Sequence, residues 1–178
     1  MSNSDTFVFT ALKIVAWIIF VGLGIEAGGL LINFIFTIYN PAFIENLYQK
    51  LDLSDMYSRG KWAFFSMYSF ILVIAFLKAH LFYVVIKLVS NFDLAKPFNE
   101  FVSEQISQIS YYTFSIGMLS YLARQSAKSL NHHGFETYNL NPFWADSQAF
   151  ILMAAVVYII AIIFKRGIAI QNENDLTV

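Results

Sequence analysis

The sequence predicts an all-α fold, a polytopic membrane four-helix bundle. Of its 178 residues, 58% are hydrophobic and only 13% charged, where soluble domains carry about a quarter charged residues. The apolar residues fall in long blocks separated by short polar stretches, and a chain of this length has room for four spans and little else. The longest block, Ile14 to Tyr39, would form a helix roughly 39 Å long at about 1.5 Å per residue, more than the ~30 Å hydrocarbon thickness of a bilayer.

The first span is expected over about 12–39. Its apolar core is too long for a cleaved leader and its basic flank is Lys13 alone, so it reads as an uncleaved membrane helix. It ends at Asn40-Pro41, a turn-favouring pair. Phe43, Leu47 and Leu51 then recur at helical spacing, which suits either a short interfacial amphipathic helix or an ordered loop. The second span, about 62–89, opens on Trp62, an interfacial residue type, and carries Lys78 and His80 within its apolar run.

The connection 90–98 is short, and Asn99 with Glu100 reads as the capped start of a third helix, a carboxylate lying at the positive end of its dipole. This helix, spanning the membrane over about 106–123, is rich in amides and hydroxyls and belongs against other helices rather than against lipid. After a polar loop containing Pro142 and Trp144, a fourth span over about 147–165 is the most uniformly apolar and faces lipid. Lys165-Arg166-Gly167 reads as a cationic helix end followed by a stopping glycine, leaving residues 166–178 as a tail of a single membrane domain, 1–178.

Composition also excludes function classes. The chain has no cysteine, which removes disulfides, iron–sulfur ligation, thiolate zinc and thiol redox chemistry. A net charge of −1 without a basic run argues against direct nucleic-acid binding. No GxSxG or HExxH occurs, the His132-His133-Gly134-Phe135-Glu136 stretch lacks metal-site spacing, and so no enzyme activity, metal or cofactor is expected.

One constellation stands out. Glu26 lies at the middle of the first span, where a charge costs about 2.5–3.5 kcal/mol on insertion scales, so it calls for a partner. Lys78 is at a similar depth of the antiparallel second span and is expected to pair with it, helped by Asn33 or by the third-helix hydroxyls of Tyr112 and Ser115. Gly22, Glu26, Gly29 and Asn33 share a stripe, with Gly24 and Gly28 as a second small-residue pair, so neighbours are expected to approach closely. His80, two residues from Lys78, points elsewhere and is expected to bond a tyrosine or serine. On the third helix, Gln105, Gln108, Tyr112 and Ser115 form one polar stripe and Thr113, Gly117, Ser120 and Arg124 another; either would line a small cavity.

Basic residues do not orient the chain. Lys13, Lys87, Lys96, Lys165 and Arg166 fall on one side and Lys50, Arg59, Lys61, Arg124 and Lys128 on the other, a tie; the aromatic anchors Tyr39, Trp62 and Trp144 mark the second side as an interface.

The stretch Phe164-Lys165-Arg166-Gly167 followed by Gln171-Asn172-Glu173-Asn174-Asp175-Leu176-Thr177-Val178, together with Lys96-Pro97-Phe98, resembles the signature of an uncharacterised family, a domain of unknown function, of small bacterial four-helix inner-membrane proteins. The resemblance implies a bacterial inner-membrane location with both termini and the 90–105 connection cytoplasmic. It also implies proximity to small helix-turn-helix regulators, and so a regulatory membrane protein with a cytosolic regulator as partner. Pro97, Phe98, Asp175, Leu176 and Val178 would then form a docking face, Leu176 and Val178 packing on Phe98 or Phe101. Besides the lipid bilayer and that regulator, a second copy of the chain is an expected partner. The alternative is a small transporter or channel subunit moving protons or ions through the Glu26–Lys78 pair.

Overall fold

The computed structural model describes residues 3–48, 51–93, 96–144 and 146–175. Four long helices dominate: α1 (Asn3–Tyr39), α3 (Lys61–Ser90), α4 (Glu100–His132) and α5 (Ser147–Asp175), with a short α2 (Ser54–Arg59) in the first connection. The fold is all-α, and the extra short helix raises the expected count from four to five among the described residues. Three segments, within α1, within α3 and reaching through α5, are long and apolar enough to cross a bilayer.

The long helices run up and down in sequence, α1 packing on α3, α3 on α4 and α4 on α5. No comparable contact joins α1 to α4 or α5 among the described residues. The arrangement is therefore a row with α1 and α5 at its ends. Both end helices bury one narrow stripe and leave the rest of their apolar surface outward, as Ile18 and Ile25 on α1 and Leu152 and Ile163 on α5 show. A lipid tail is as apolar as these side chains, so such exposure is cheap only in a membrane.

α4 holds the row together because its polarity is inverted. Ser103, Gln105, Ser107, Ser110, Thr113 and Ser120 are buried, while Tyr111, Phe114, Met118, Tyr121 and Leu122 face outward. Three of these hydroxyls are satisfied by carbonyls: Ser107 donates to Ser103 O at 2.9 Å, Thr113 to Ile109 O at 2.7 Å, and Ser110 crosses to Ala154 O of α5 at 3.0 Å. On α5, Ser147, Ala154 and Ala161 recur at sevenfold spacing and are buried against α4. Small residues at that spacing let two backbones approach closely. Gly117 is part of the same seam; a Cβ there would lie 2.7 Å from Ile151 Cγ1.

The main core lies at the end of the row that carries the first and third connections. Asn40 opens the first, its Oδ1 accepting from Ala42 N at 3.1 Å ahead of a 3-10 turn at Pro41–Asn46. Leu47 and Leu51 are bridged, Leu47 N donating to Leu51 O at 3.0 Å, and both are buried with Ile44, Leu53 and Met56 under α3. Over the described residues 41–48 and 51–53, the ordered-loop alternative fits better than an amphipathic helix does. Trp144, expected as an interfacial anchor, is instead 2% exposed in this core beside Leu140; Trp62 remains exposed. A full indole buries more apolar surface than most side chains can, which favours the core where the connection folds back. Arg59 ties α2 to the third connection, donating to Asp55 Oδ1 at 2.8 Å and to Gly134 O at 2.9 Å.

Of the glycines expected to admit neighbours on α1, only Gly29 does so, with Tyr48 against it. Gly22, Gly24 and Gly28 have nothing within 4 Å of where a Cβ would stand. The chain's helices cover just the α1 stripe containing Ala27, Leu30 and Thr37.

Candidate functional site

The end of the row that carries the N-terminus of α1 and the C-terminus of α5 holds the most developed polar site. Asn99 caps α4, its Oδ1 accepting from Val102 N at 2.9 Å and its Nδ2 donating to Lys96 O at 2.8 Å. This directs the helix start, with Glu100 in its first turn, against the far end of α5. Beneath it a small apolar cluster of Val102, Ile106 and Ala161 gathers Leu88, Phe92, Phe101 and Phe164. Phe9 of α1 stacks on Phe92 at 5.2 Å, and Lys87 Nζ lies 5.7 Å above the Phe101 ring.

α5 does not stop at Gly167. It continues to Asp175, which corrects the expected helix end. The glycine serves a different purpose: a Cβ would lie 2.7 Å from Phe98 Cδ1. Phe98 also meets Phe164 at 5.2 Å between ring centroids. Leu176 and Val178, expected on Phe98, lie outside the described residues; Asp175 is the last residue of α5. Pro97 is half-buried before the Asn99 cap.

Between the first turns of α4 and this extension of α5 lies a recess of about 490 Å³ lined by Glu100, Ser103, Glu104, Ser107, Gln108 and Lys165 among others. Carboxylates stand on the α4 wall and an ammonium on the α5 wall. Gln108 Nε2 donates to Glu104 Oε1 at 3.4 Å. Ser103 is 3% exposed and its Oγ has no partner. A group with both a cationic and an anionic part, such as a polar peptide segment, is what these walls complement. Sequence reasoning placed Gln108 in a polar stripe but missed Ser103, Glu104 and Ser107. Their signal was present: Glu100, Glu104 and Gln108 step by four, as do Ser103 and Ser107.

The membrane-depth residues are arranged differently. α1 and α3 pack against each other, and Glu26 and Lys78 are each half-buried. No ion pair or hydrogen bond joins them. The helix register explains this: Tyr68 OH donates to Leu30 O at 3.0 Å, Phe34 stacks on Tyr68, and Phe20 meets Tyr83. These contacts set Glu26 about one turn from the level of Lys78. Asn33 is also half-buried on α1. Ser115 is directed to its own helix, donating to Tyr111 O at 2.9 Å. Tyr112 is brought instead to His80, at 4.7 Å between ring centroids, with Tyr83 at 5.9 Å from the same imidazole. His80 makes ring contacts rather than the expected hydrogen bond, and it lines an open, mainly aromatic groove of about 580 Å³ with Phe20, Phe76 and Tyr83.

Neither expected polar stripe of α4 lines a cavity as a unit. Gln105 is 1% exposed with Oε1 unpartnered, and Thr113 bonds its own helix. His133 bonds Ser129 O at 2.7 Å. Among the described residues no three His, Asp or Glu side chains are placed to hold a metal.

Neither the curated proteins nor the solved structures yield a match to this chain. Residues 40–178, from the first connection through α5, match the family described as Protein of unknown function (DUF2975), and the chain belongs to that family.

Proposed function

We propose that the protein is a non-enzymatic, multi-pass protein of a bacterial inner membrane, with four passes and both termini cytoplasmic, that regulates or is regulated by a cytosolic protein bound at its termini end. The observation that carries this reading is the continuation of α5 beyond its apolar part. Lys165, Arg166, Gln171, Asn172 and Glu173 extend the helix as a polar arm, and Gly167 on Phe98 presses that arm against the start of α4. A tail without a docking role needs neither the close approach nor the charged recess beside it.

Quantitative co-purification from the native host membrane tests the reading. The wild-type chain should retain one cytosolic protein in near-stoichiometric amount, and Glu104→Lys should lose it while inserting normally. Equal recovery with both would refute the recess as the docking site. A second reading is supported by Glu26 and Lys78, two ionisable groups at membrane depth without each other as counter-ion: a transporter or channel subunit. Loss of proton or ion flux in liposomes on Glu26→Gln would favour it over the first.

A further inference from the structure

The opposite end of α4 carries a cationic recess that none of the roles above uses. Arg124, Lys128 and His132 follow at steps of four, so they occupy an arc of about 80° along the last turns of the helix. They line a recess of about 580 Å³ closed by Asn131 and by Tyr138 and Asn141 of the third connection. Its floor includes the buried residues Ala127 and Thr137. No carboxylate lines it among the described residues, and neither Arg124 nor Lys128 is in an ion pair with a described residue.

Cations near a helix C-terminus complement its dipole, but that effect fades within the last turn. Arg124 lies two turns before the end of α4. The His80–Tyr112 contact fixes the antiparallel register of α3 and α4, setting Arg124 level with about Tyr68 and His132 level with about Gly60. The exposed Trp62 therefore marks a depth within the stripe. The stripe runs from the membrane surface into the interface, and along its continuation, seven and fourteen residues before Lys128, Tyr121 and Phe114 face outward. A cation at that depth without a protein counter-ion needs an anion that itself resides at the interface.

We infer that this recess binds the headgroup of a net-anionic phospholipid, its phosphate taken by Arg124 and Lys128 and its polar end by His132 and the amides of Asn131 and Asn141, with the acyl chains along the apolar face of α4. The full-length chain in nanodiscs and in detergent provides the test. Phosphatidylglycerol should be retained in native mass spectra and raise the unfolding temperature, whereas phosphatidylcholine should not. At about fivefold per basic residue, Arg124→Gln/Lys128→Gln should weaken phosphatidylglycerol binding about 25-fold. Arg124→Lys/Lys128→Arg, which keeps both charges, should retain most of it and guards against a folding artefact. Lys61→Gln, removing an exposed cation from the same end, should change nothing. Undiminished binding in the double glutamine variant, or an equal loss with Lys61→Gln, overturns the assignment. Equal protection by inorganic phosphate in detergent overturns the lipid as its source.

Discussion

The α4–α5 seam makes a sharp prediction at Gly117. Placing a methyl group there brings it 2.7 Å from Ile151 Cγ1, 3.0 Å from Ile151 N and 3.2 Å from Phe150 Cβ, against an ordinary contact of about 3.5–4.0 Å. Rotation of Ile151 relieves the first clash only. The other two involve the backbone and its first side-chain carbon, so α5 must withdraw by about half an ångström. That withdrawal lengthens the 3.0 Å bond from Ser110 to Ala154 O and loosens the packing of Ala154. Overpacking of this kind costs about 1–3 kcal/mol, partly offset by about 0.5–1 kcal/mol from replacing a helical glycine. Gly117→Ala should therefore lose about 0.5–2 kcal/mol, and its thermal midpoint in detergent, followed by helical circular dichroism, should fall by about 2–4 °C per kcal/mol. The same substitution at Gly22, Gly24 or Gly28 meets nothing within 4 Å and should be neutral or stabilising by about 0.5–1 kcal/mol. A wild-type midpoint for Gly117→Ala would refute the seam. A fall at Gly24 or Gly28 as large as that at Gly117 would mean that something outside the row, such as a second copy, covers that face of α1.

Two further predictions concern the connections. Gly134 has φ +86 and offers its carbonyl to Arg59; Gly134→Ala should cost about 1–2 kcal/mol in thermal unfolding, with Gly134→Asn losing less because asparagine tolerates that region better. Equal losses would show that φ is not the cause. The Ser54 hydroxyl, and then its amide, hold the Asp52 carboxyl below its usual range, at 2.6 and 2.9 Å. A lowered folded value means that the interaction stabilises above the ordinary carboxylate pKa and is lost as pH falls through the lowered one. Hydrogen-exchange protection of the α2 amides should thus drop on acidification below about pH 4 in the wild type. In Asp52→Asn it should be low already at neutral pH, and an undiminished acid transition there would exclude Asp52 as its origin.

How far the sequence could be read depended on whether a feature is set within one helix or between two. α4 was legible because its hydroxyls and amides share a side, and the cost of facing them to lipid places that side inward whatever the neighbours are. The Asn99 cap was legible because its partner is Val102, three residues on. The Glu26–Lys78 pairing rested on matching helix centres. The actual register is set by Tyr68 on Leu30 and Phe34 and by Phe20 on Tyr83, and such ring packing leaves no trace in spacing. Trp144 shows the same limit: an interfacial residue type by composition, it lies in a core shared with Leu47 and Leu51, in a connection that Arg59 ties down at Gly134.

Gly167 puts the distinction most plainly. Following Lys165 and Arg166, it satisfies every local rule for a helix end, yet α5 passes through it. A helical glycine costs about 0.5–1 kcal/mol relative to alanine, a cost that neighbouring turns can carry. What decides its identity is Phe98, which lies where a methyl group would stand, and Phe98 is held there by the Asn99 cap and by Phe164. The residue that reads as the end of the fold is thus the one that lets the fold extend beyond its apolar part. The charged recess exists because α5 continues far enough to bring Lys165 and Ile168 against Glu104 and Ser103. A bulky residue at 167 would push that arm from α4 without touching the membrane-depth packing of Ser110 on Ala154, so the recess and the seam are separable parts of one helix pair.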